Sequence, residues 1–302
     1  MVDAPRLFEQ GLIRRRLQRA IRQGAEDFLL ARASADLSDR LNAVLRQFPT
    51  VLDFATPGPH AADALFASGR AETIIRAAPV VEALGQASYP SFVADTGLLP
   101  FGASSLDGVI SLLALQMVDD LPGILSQIRR ALRPDGMFMG CLIGGASLTE
   151  LRQSLVQAES EMEGGISPRV APFADISDLG GLLQRAGFAL PVSDVDSFTV
   201  RYKSPLGLMH DLRRMGATNA LIERRKSPMR RATLLRALEI YAERFSDPDG
   251  KVRATFEFVW ISGWVPHESQ QKPLKPGSAA KRLADVLGVP EHPTGDVPSR
   301  QK

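Results

Sequence analysis

The sequence predicts an α/β protein built on a doubly wound, mostly parallel sheet. Short apolar runs at 51–54, 73–75, 92–94 and 106–111 alternate with stretches of helical spacing. This alternation is typical of parallel strands joined by right-handed crossover helices. Asp95 and Ser111 stand at the ends of two of these runs, and Asp53 is the penultimate residue of the first. Because ligands bind beyond the carboxyl ends of such strands, Asp95 and Ser111 are candidate site residues.

The chain opens with two predicted helices, at 7–22 and 27–46, which define an N-terminal helical segment over 1–48. In the first helix one side is apolar and much of the rest is basic, with Arg14, Arg15 and Arg16 in a row. A solvated helix face is the simpler interpretation of these arginines. The alternative is contact with an acidic partner or peripheral contact with an anionic membrane surface.

A helix is predicted directly after Asp120 in the central part of the chain. Its apolar residues share one face: Leu121, Leu125, Ile128 and Leu132. Asp120 can cap the first free amides, and Pro122 suits the first turn, where no N–H is needed. Pro134 and Gly136 are expected to end the helix, and a strand is predicted from residue 137.

The C-terminal half is predicted to add helices at 148–163 and 178–186, and strands at 188–194 and 197–202. A helical cover follows over 204–245. It is rich in arginine, at Arg213, Arg214, Arg224, Arg225, Arg230 and Arg231. These side chains can form a solvated surface or a docking surface for an acidic protein partner.

A strand at 255–265 is expected to lie antiparallel beside 188–194, with its aromatic side in the core. It ends the main domain, which we place at 49–266. The remaining residues, 267–302, are rich in Pro, Lys, Gly and Ser, a composition that favours a flexible tail.

Composition narrows the function classes. Lys and Arg (36) nearly balance Asp and Glu (34), so no global field for nucleic acid is implied. Cys141 is the one cysteine, which excludes an intramolecular disulfide and suits a cytoplasmic protein.

No apolar run reaches the roughly 18–20 residues of a transmembrane helix, and the N-terminus lacks a signal-peptide core. The four histidines are scattered, so no metal site is predicted. His60 could lie on the surface or face the site.

The block FVADTGLLPFGASSLDGVISLLALQMVDDLPGILSQIRRALRPDGMFMG resembles the second half of class I S-adenosylmethionine-dependent methyltransferases. That resemblance implies a seven-stranded Rossmann-like sheet and S-adenosylmethionine as cofactor. Two groups are most similar: the methyltransferase-like assembly factors of respiratory complex I and the malonyl-carrier-protein methyltransferases of biotin synthesis. Segments at 7–16, 163–173, 178–188, 211–216 and 254–264 favour the first group.

The resemblance also assigns expected cofactor contacts, at Asp53, Ala55, Gly58, Asp95, Thr96 and Ser111. In the family Asp95 would accept a hydrogen bond from the adenine amine. Glycines are usual where this chain has Ala55, Pro57 and Pro59, so the loop is expected to be degenerate and cofactor binding weak or lost. An acid that would hold the ribose is missing after the second strand, and Glu82 is the nearest candidate.

Three functions follow from the resemblance. The leading one is a methyltransferase-superfamily enzyme that acts on a protein subunit during complex I assembly, cytoplasmic or peripheral to the inner membrane. Arginine hydroxylation, with which the mitochondrial relatives are associated, is an alternative reaction. The second function is that of a malonyl-carrier-protein O-methyltransferase, and the third is that of a non-catalytic module without cofactor. No catalytic residue is predicted; Gln116 and Met117 lie where the family often places a substrate-facing pair.

Overall fold

The computed structural model describes residues 6–85 and 88–270. Its strands are β1 (Phe48–Phe54), β2 (Ala71–Ala78), β3 (Ser91–Val93), β4 (Leu106–Leu112), β5 (Leu132–Ile143), β6 (Ala189–Tyr202) and β7 (Val252–Trp264). Its α-helices are α1 (Gln10–Arg22), α2 (Phe28–Ala43), α3 (His60–Ser68), α4 (Leu121–Ala131), α5 (Thr149–Glu163), α6 (Ile176–Arg185), α7 (Pro205–Arg214) and α8 (Arg231–Phe245). Short 3-10 turns lie at Val81–Leu84 and Leu115–Met117.

All seven strands form one sheet in the order β3-β2-β1-β4-β5-β7-β6. β7 is antiparallel to both of its neighbours, and Trp264 is in register with Met137 on β5 and Ala189 on β6. The predicted doubly wound sheet and the antiparallel placement of the last strand are therefore confirmed. Chain order reverses between β1 and β4, which makes their carboxyl ends the expected ligand position.

The central strands are buried on both faces, and their successive residues point to opposite sides of the sheet. On β1, Val51 packs into the core cluster that includes residues of α2, α3, α5, α7 and α8, whereas Leu52 packs into the cluster of α4 and α6. β7 shows the same alternation: Trp260 lies in the first cluster and Ile261 in the second. The predicted aromatic core face of this strand is confirmed, and its other face is buried at Val259, Ile261 and Gly263.

The start of α4 agrees with its sequence signals. The Asp120 carboxylate accepts a hydrogen bond from the Gly123 amide at 2.8 Å, and Pro122 lies in the first turn. The end differs from the prediction, because β5 begins at Leu132 instead of residue 137. Leu132 already pairs with Leu106 of β4, and the strand passes Pro134 through an irregularity in the register. A proline is tolerated at such a bulge because no ladder hydrogen bond is required there.

One C-terminal prediction was wrong in detail. The strands expected at 188–194 and 197–202 are one continuous strand, β6, that pairs with β7 along its length. The predicted helical cover contains the two expected helices, α7 and α8, joined by residues 215–230, which are not helical. The tail predicted over 267–302 lies outside the described residues from 271 onward.

The chain forms a compact unit that ends at His267, and a second unit begins at Glu268. The N-terminal helices belong to the first unit, with α2 packed on α3 and α1 beside α7. Within the described ranges, no helix combines the length and apolarity needed to cross a membrane.

Candidate functional site

A cavity of about 100 Å³ lies at the carboxyl ends of the central strands, and we call it the roofed cleft. Its floor comes from loops that follow β1, β2, β3 and β4: Ala55, Pro57, Pro79, Thr96, Leu113 and Ala114. Gln116 and Met117 form one wall. Its roof comes from α1 and from the segment after α7: Gln10, Ile13, Leu17 and residues 215–218 and 220.

Ala55 has a backbone conformation that normally belongs to glycine. Its φ is +62°, it is buried, and its amide donates to the Ala77 carbonyl at 2.7 Å. A left-handed conformation costs a residue with a Cβ about 1–2 kcal/mol. The chain therefore keeps a glycine-like turn after β1 although the glycine itself has been replaced, and Ala55 lies on the cleft floor as predicted.

Asp53 is fully buried and forms an ion pair with Arg76 of β2. The Arg76 Nε lies 3.0 Å from Asp53 Oδ2, and its other nitrogens donate to the carbonyls of Gly58, Ala83 and Leu84. Arg76 thus joins the loop after β1 to the turn after β2. Burial raises the pKa of Asp53 to about 6, opposed by the Thr56 hydroxyl and by Arg76.

Sequence reasoning missed Arg76, although a signal was present. An arginine that follows Ile74 and Ile75 inside a strand must have a buried partner, since a lone buried charge is very costly. Asp53 occupies the register-matched position on β1. The resemblance implied Asp53 as a cofactor contact, but in the structure its carboxylate is buried and paired with Arg76.

Asp95 does not line the roofed cleft, so its predicted position was wrong. Its side chain is 47% exposed and lies 3.2 Å from the Arg14 guanidinium of α1. Its other oxygen accepts a hydrogen bond from the Gly97 amide at 2.8 Å. The cause is α1, which approaches from 81 positions earlier in the chain and attracts the carboxylate to the rim.

The other residues predicted to contact the cofactor lie in different parts of the structure. Thr96 lines the roofed cleft, as expected. Gly58 instead lines a neighbouring cavity together with His60, where a Cβ on Gly58 would lie 2.8 Å from the His60 ring. Ser111 is completely buried at the end of β4 and its hydroxyl has no hydrogen-bond partner. Of the five residues expected to share one cleft (Ala55, Gly58, Asp95, Thr96 and Ser111), only Ala55 and Thr96 line the roofed cleft.

Two further polar residues lie at these cavities. Gln116 lines the roofed cleft; its amide nitrogen donates to the Leu113 carbonyl at 2.8 Å, while its buried oxygen Oε1 has no partner. That oxygen is an acceptor available to a bound group. His60 lies in the neighbouring cavity, 3.3 Å from Asp27, with its side chain 20% exposed. It therefore faces a cavity and not the open surface.

The first helix is a roof and not a freely solvated face. The amides of Leu7 and Phe8 both donate to Asp119 Oδ1 at 2.8 Å, and Phe8 forms a β-bridge with Leu221. The three adjacent arginines all have partners: Arg14 pairs with Asp95, Arg15 with Glu9, and Arg16 with the carbonyls of Thr218 and Asn219. The interpretations of this helix as a solvated face, as a contact for an acidic partner or as a membrane contact did not include its role in covering the cleft.

Three of the six arginines of the predicted basic cover form ion pairs within the protein. Arg214 pairs with Glu26, Arg224 with Glu9, and Arg225 with Glu163. In the described part of the chain, Arg213, Arg230 and Arg231 are exposed and form no ion pair. A partner surface at this position would therefore rest on these three residues.

A second cavity, of about 180 Å³, adjoins the roofed cleft, and we call it the apolar cavity. It lies among α5, α7, α8 and the segment 169–173. Met117, Ala217, Thr218 and Ala220 line both spaces. Two adjoining spaces of this kind can hold two groups side by side.

No cluster of three or more His, Cys, Asp or Glu side chains suited to a metal occurs among residues 6–85 and 88–270. Cys141 is fully buried within β5, and burial raises the pKa of its thiol. It is a small core residue, as the sequence indicated.

The sheet order and the antiparallel seventh strand are those of the class I methyltransferase fold. A family model described as a methyltransferase domain matches residues 67–140. A solved structure from Bacillus halodurans C-125, proposed to be a methyltransferase, matches with a TM-score of 0.53 at 15% identity, covering 77% of this chain and 98% of that one. At this identity the likeness concerns the fold alone.

Sequence relatives narrow the family. The zebrafish (Danio rerio) mitochondrial arginine-hydroxylase NDUFAF5 is 38% identical over 271 residues, covering 87% of this chain and 83% of the relative. The malonyl-[acyl-carrier protein] O-methyltransferase of Xylella fastidiosa (strain M23) is 36% identical over 172 residues, covering 57% of this chain and 56% of the relative. The chain belongs to the NDUFAF5 family.

Proposed function

We propose that this protein binds S-adenosylmethionine in the roofed cleft and acts on a protein subunit of respiratory complex I during assembly. The observation that carries the first part is Ala55, whose left-handed backbone keeps a tight turn at the chain reversal. This turn lies between β1 and β4, where this fold class places ligands.

The residues at the cleft fit such a cofactor in part. The unpartnered oxygen of Gln116 can accept a hydrogen bond, and Thr96 adds a polar side chain to the floor. Asp95 at the rim can accept from the adenine amine once it leaves Arg14. The sulfonium group of the bound cofactor supplies an activated methyl group.

Three features predict weak binding. The roofed cleft encloses only about 100 Å³, less than the ~150 Å³ of a cavity that binds benzene, so the cofactor requires the roof formed by α1 to move. The strand β2 ends at Ala78 and is followed by Pro79, so no acid stands there to hold the ribose hydroxyls. Glu82, the nearest acid, is paired with Arg22 of α1. Pro57 lines the cleft and lacks the amide that a glycine would offer. These losses also motivate the non-catalytic module as an alternative.

We assign the substrate from the relatives. The name arginine-hydroxylase, carried by relatives that match most of this chain, supports an arginine side chain as the target. Such a reaction would take place in the cytoplasm or at the membrane face where the complex is assembled. Arg213, Arg230 and Arg231 offer an exposed basic surface for an acidic protein partner.

The alternative substrate is a malonyl thioester, supported by the malonyl-carrier-protein relatives. Its free carboxylate would need a cation near the cleft. Arg169, the one cation in the wall of the apolar cavity, is instead bonded to buried Glu159. This pairing leaves no unengaged cation in the wall of the apolar cavity for the malonyl carboxylate.

Two measurements test the proposal. Calorimetric titration with S-adenosylmethionine should show saturable binding, and its absence would favour the non-catalytic module. Complex I subunits purified from cells with and without this protein should then be compared by peptide mass spectrometry. A gain of one methylene on a side chain indicates methyl transfer, whereas a gain of one oxygen on an arginine indicates hydroxylation. No difference in any subunit would reject the assigned substrate.

A further inference from the structure

We propose that the apolar cavity binds one uncharged ring or branched aliphatic side chain of the protein substrate, close in sequence to the residue that is modified. This inference rests on the proposed function and specifies how its substrate is recognised. It concerns a recognition pocket and involves no chemical step.

The walls of the cavity are apolar and adaptable. Leu151 and Leu155 of α5 face Met209 of α7 and Leu234 of α8 across it, and Met229 lines it from the segment before α8. Methionine side chains are flexible and polarizable, and they often line surfaces that accept apolar groups. A ligand in this space therefore gains by removing apolar surface from water.

The larger polar side chains in the wall are already bonded to the protein. The Arg169 guanidinium donates twice to the buried Glu159 carboxylate. The Asn219 amide donates to the Pro168 carbonyl at 2.7 Å and accepts from the Leu221 amide at 3.1 Å. A substrate guanidinium placed here would be buried without a partner, which is very costly. The charged target side chain must therefore lie elsewhere.

The size of the cavity limits its occupant. Its volume is about 180 Å³, slightly above the ~150 Å³ of a dry apolar cavity that binds benzene. One aromatic ring or one leucine-sized side chain fits this space.

The position of the cavity links its occupant to the reaction. Met117 and Thr218 line both the apolar cavity and the roofed cleft, so the two spaces share a wall. A peptide can place consecutive side chains into adjoining spaces, because successive Cα atoms are ~3.8 Å apart. The apolar anchor would thus fix which residue of the substrate enters the cleft.

A pair of adjacent residues on α8 offers a matched test. Leu234 lines the cavity, whereas Leu235 is 47% exposed. We expect toluene, used as a probe, to bind the unmodified protein saturably in an NMR titration. Leu234→Trp should fill the cavity and weaken toluene binding roughly 10- to 100-fold, the range for losing one buried apolar group. Leu235→Trp should leave it unchanged.

The substrate arm uses the same two variants with the complex I subunit identified by mass spectrometry. Leu234→Trp should raise KM for that subunit about tenfold or more with kcat and S-adenosylmethionine affinity unchanged, and Leu235→Trp should change none of these. If Leu234→Trp does not fold, Met209→Gln replaces it, with Leu206→Gln of the same helix as its exposed control.

Failure of each proposal gives a different result. No toluene binding, or equal binding by both tryptophan variants, overturns the pocket. An unchanged KM in Leu234→Trp overturns its role in substrate recognition even if toluene binds. Absence of S-adenosylmethionine binding overturns the proposed function, but the toluene titration still decides whether the pocket exists.

Discussion

Two aspartate–arginine pairs lie at the same edge of the sheet and differ in nearly every physical respect. Asp53 and Arg76 are 3.0 Å apart with side chains only 1–2% exposed, whereas Asp95 and Arg14 are 3.2 Å apart and about half exposed. Both aspartates had the same sequence signal, an acid at the end of a strand. The comparison teaches that this signal locates the edge of the sheet but not the role of the acid, which depends on burial and on the arginine that reaches it.

The largest expected effect comes from breaking the buried pair. Arg76→Met should lower the free energy of unfolding by about 3–5 kcal/mol, because it leaves the Asp53 carboxylate buried and unpaired. Urea unfolding at neutral pH measures this loss. Arg133→Met, which removes a half-exposed partner of Asp107, is the control and should cost less than ~1 kcal/mol. Equal losses in both variants would remove the distinction between buried and exposed pairs.

The exposed pair should matter more for ligand binding than for folding. Asp95→Ala should weaken S-adenosylmethionine binding by about 1–3 kcal/mol, the cost of leaving the adenine amine unpaired. Calorimetric titration provides the affinity. Asp178→Ala, an exposed acid in the first turn of α6, should leave the affinity unchanged. An unaltered affinity in Asp95→Ala would exclude a role for this carboxylate in adenine binding.

Ala55 provides a smaller effect of opposite sign. Ala55→Gly should raise the free energy of unfolding by about 0.5–1 kcal/mol, because relief of the left-handed strain exceeds the entropy that glycine adds to the unfolded chain. It should also tighten cofactor binding. Ala64→Gly, within α3, should instead destabilise the protein.

Pro59 has an ordinary φ of −77° at the start of α3 and lies outside the roofed cleft, so Pro59→Gly should not improve binding.

The smallest effect on stability is expected for Arg14. Arg14→Met removes a half-exposed ion pair and should change the free energy of unfolding by less than ~1 kcal/mol. It should nevertheless strengthen S-adenosylmethionine binding, since Asp95 would no longer be engaged by the roof. The control is Arg15→Met, whose arginine pairs with Glu9. Calorimetric titration of both variants with S-adenosylmethionine separates this effect from a general loss of positive charge. Weaker binding by Arg14→Met would mean that Arg14 itself contacts the ligand.

The sequence predicted the sheet well because its signals are local. Apolar runs locate the strands, and Asp120 with Pro122 locates the start of α4. The early start of β5 at Leu132 was missed because a β-bulge accommodates Pro134, and this accommodation depends on the neighbouring strand β4.

The site was less predictable because it is assembled from distant parts of the chain. Ala55 and Thr96 could be placed from their positions after strands. Arg14 and Thr218 could not be placed from the sequence, because the roof depends on contacts between α1 and the segment after α7. Arg16, for example, donates to the Thr218 carbonyl across 202 positions. The spacing of residues within one helix cannot predict a contact between positions so far apart in the sequence.

The roof has a consequence for how the protein is made. Synthesis proceeds from the N-terminus, and α1 gains its partners Thr218 and Leu221 only after some two hundred further residues have been added. Until then α1 can pack only against earlier parts of the chain, as Leu17 does against Ala78, Val80 and Ala83, and its side toward residues 215–221 is uncovered. We expect this helix to be a binding site for cellular chaperones during translation, and its docking to be a late step in maturation that closes the cleft.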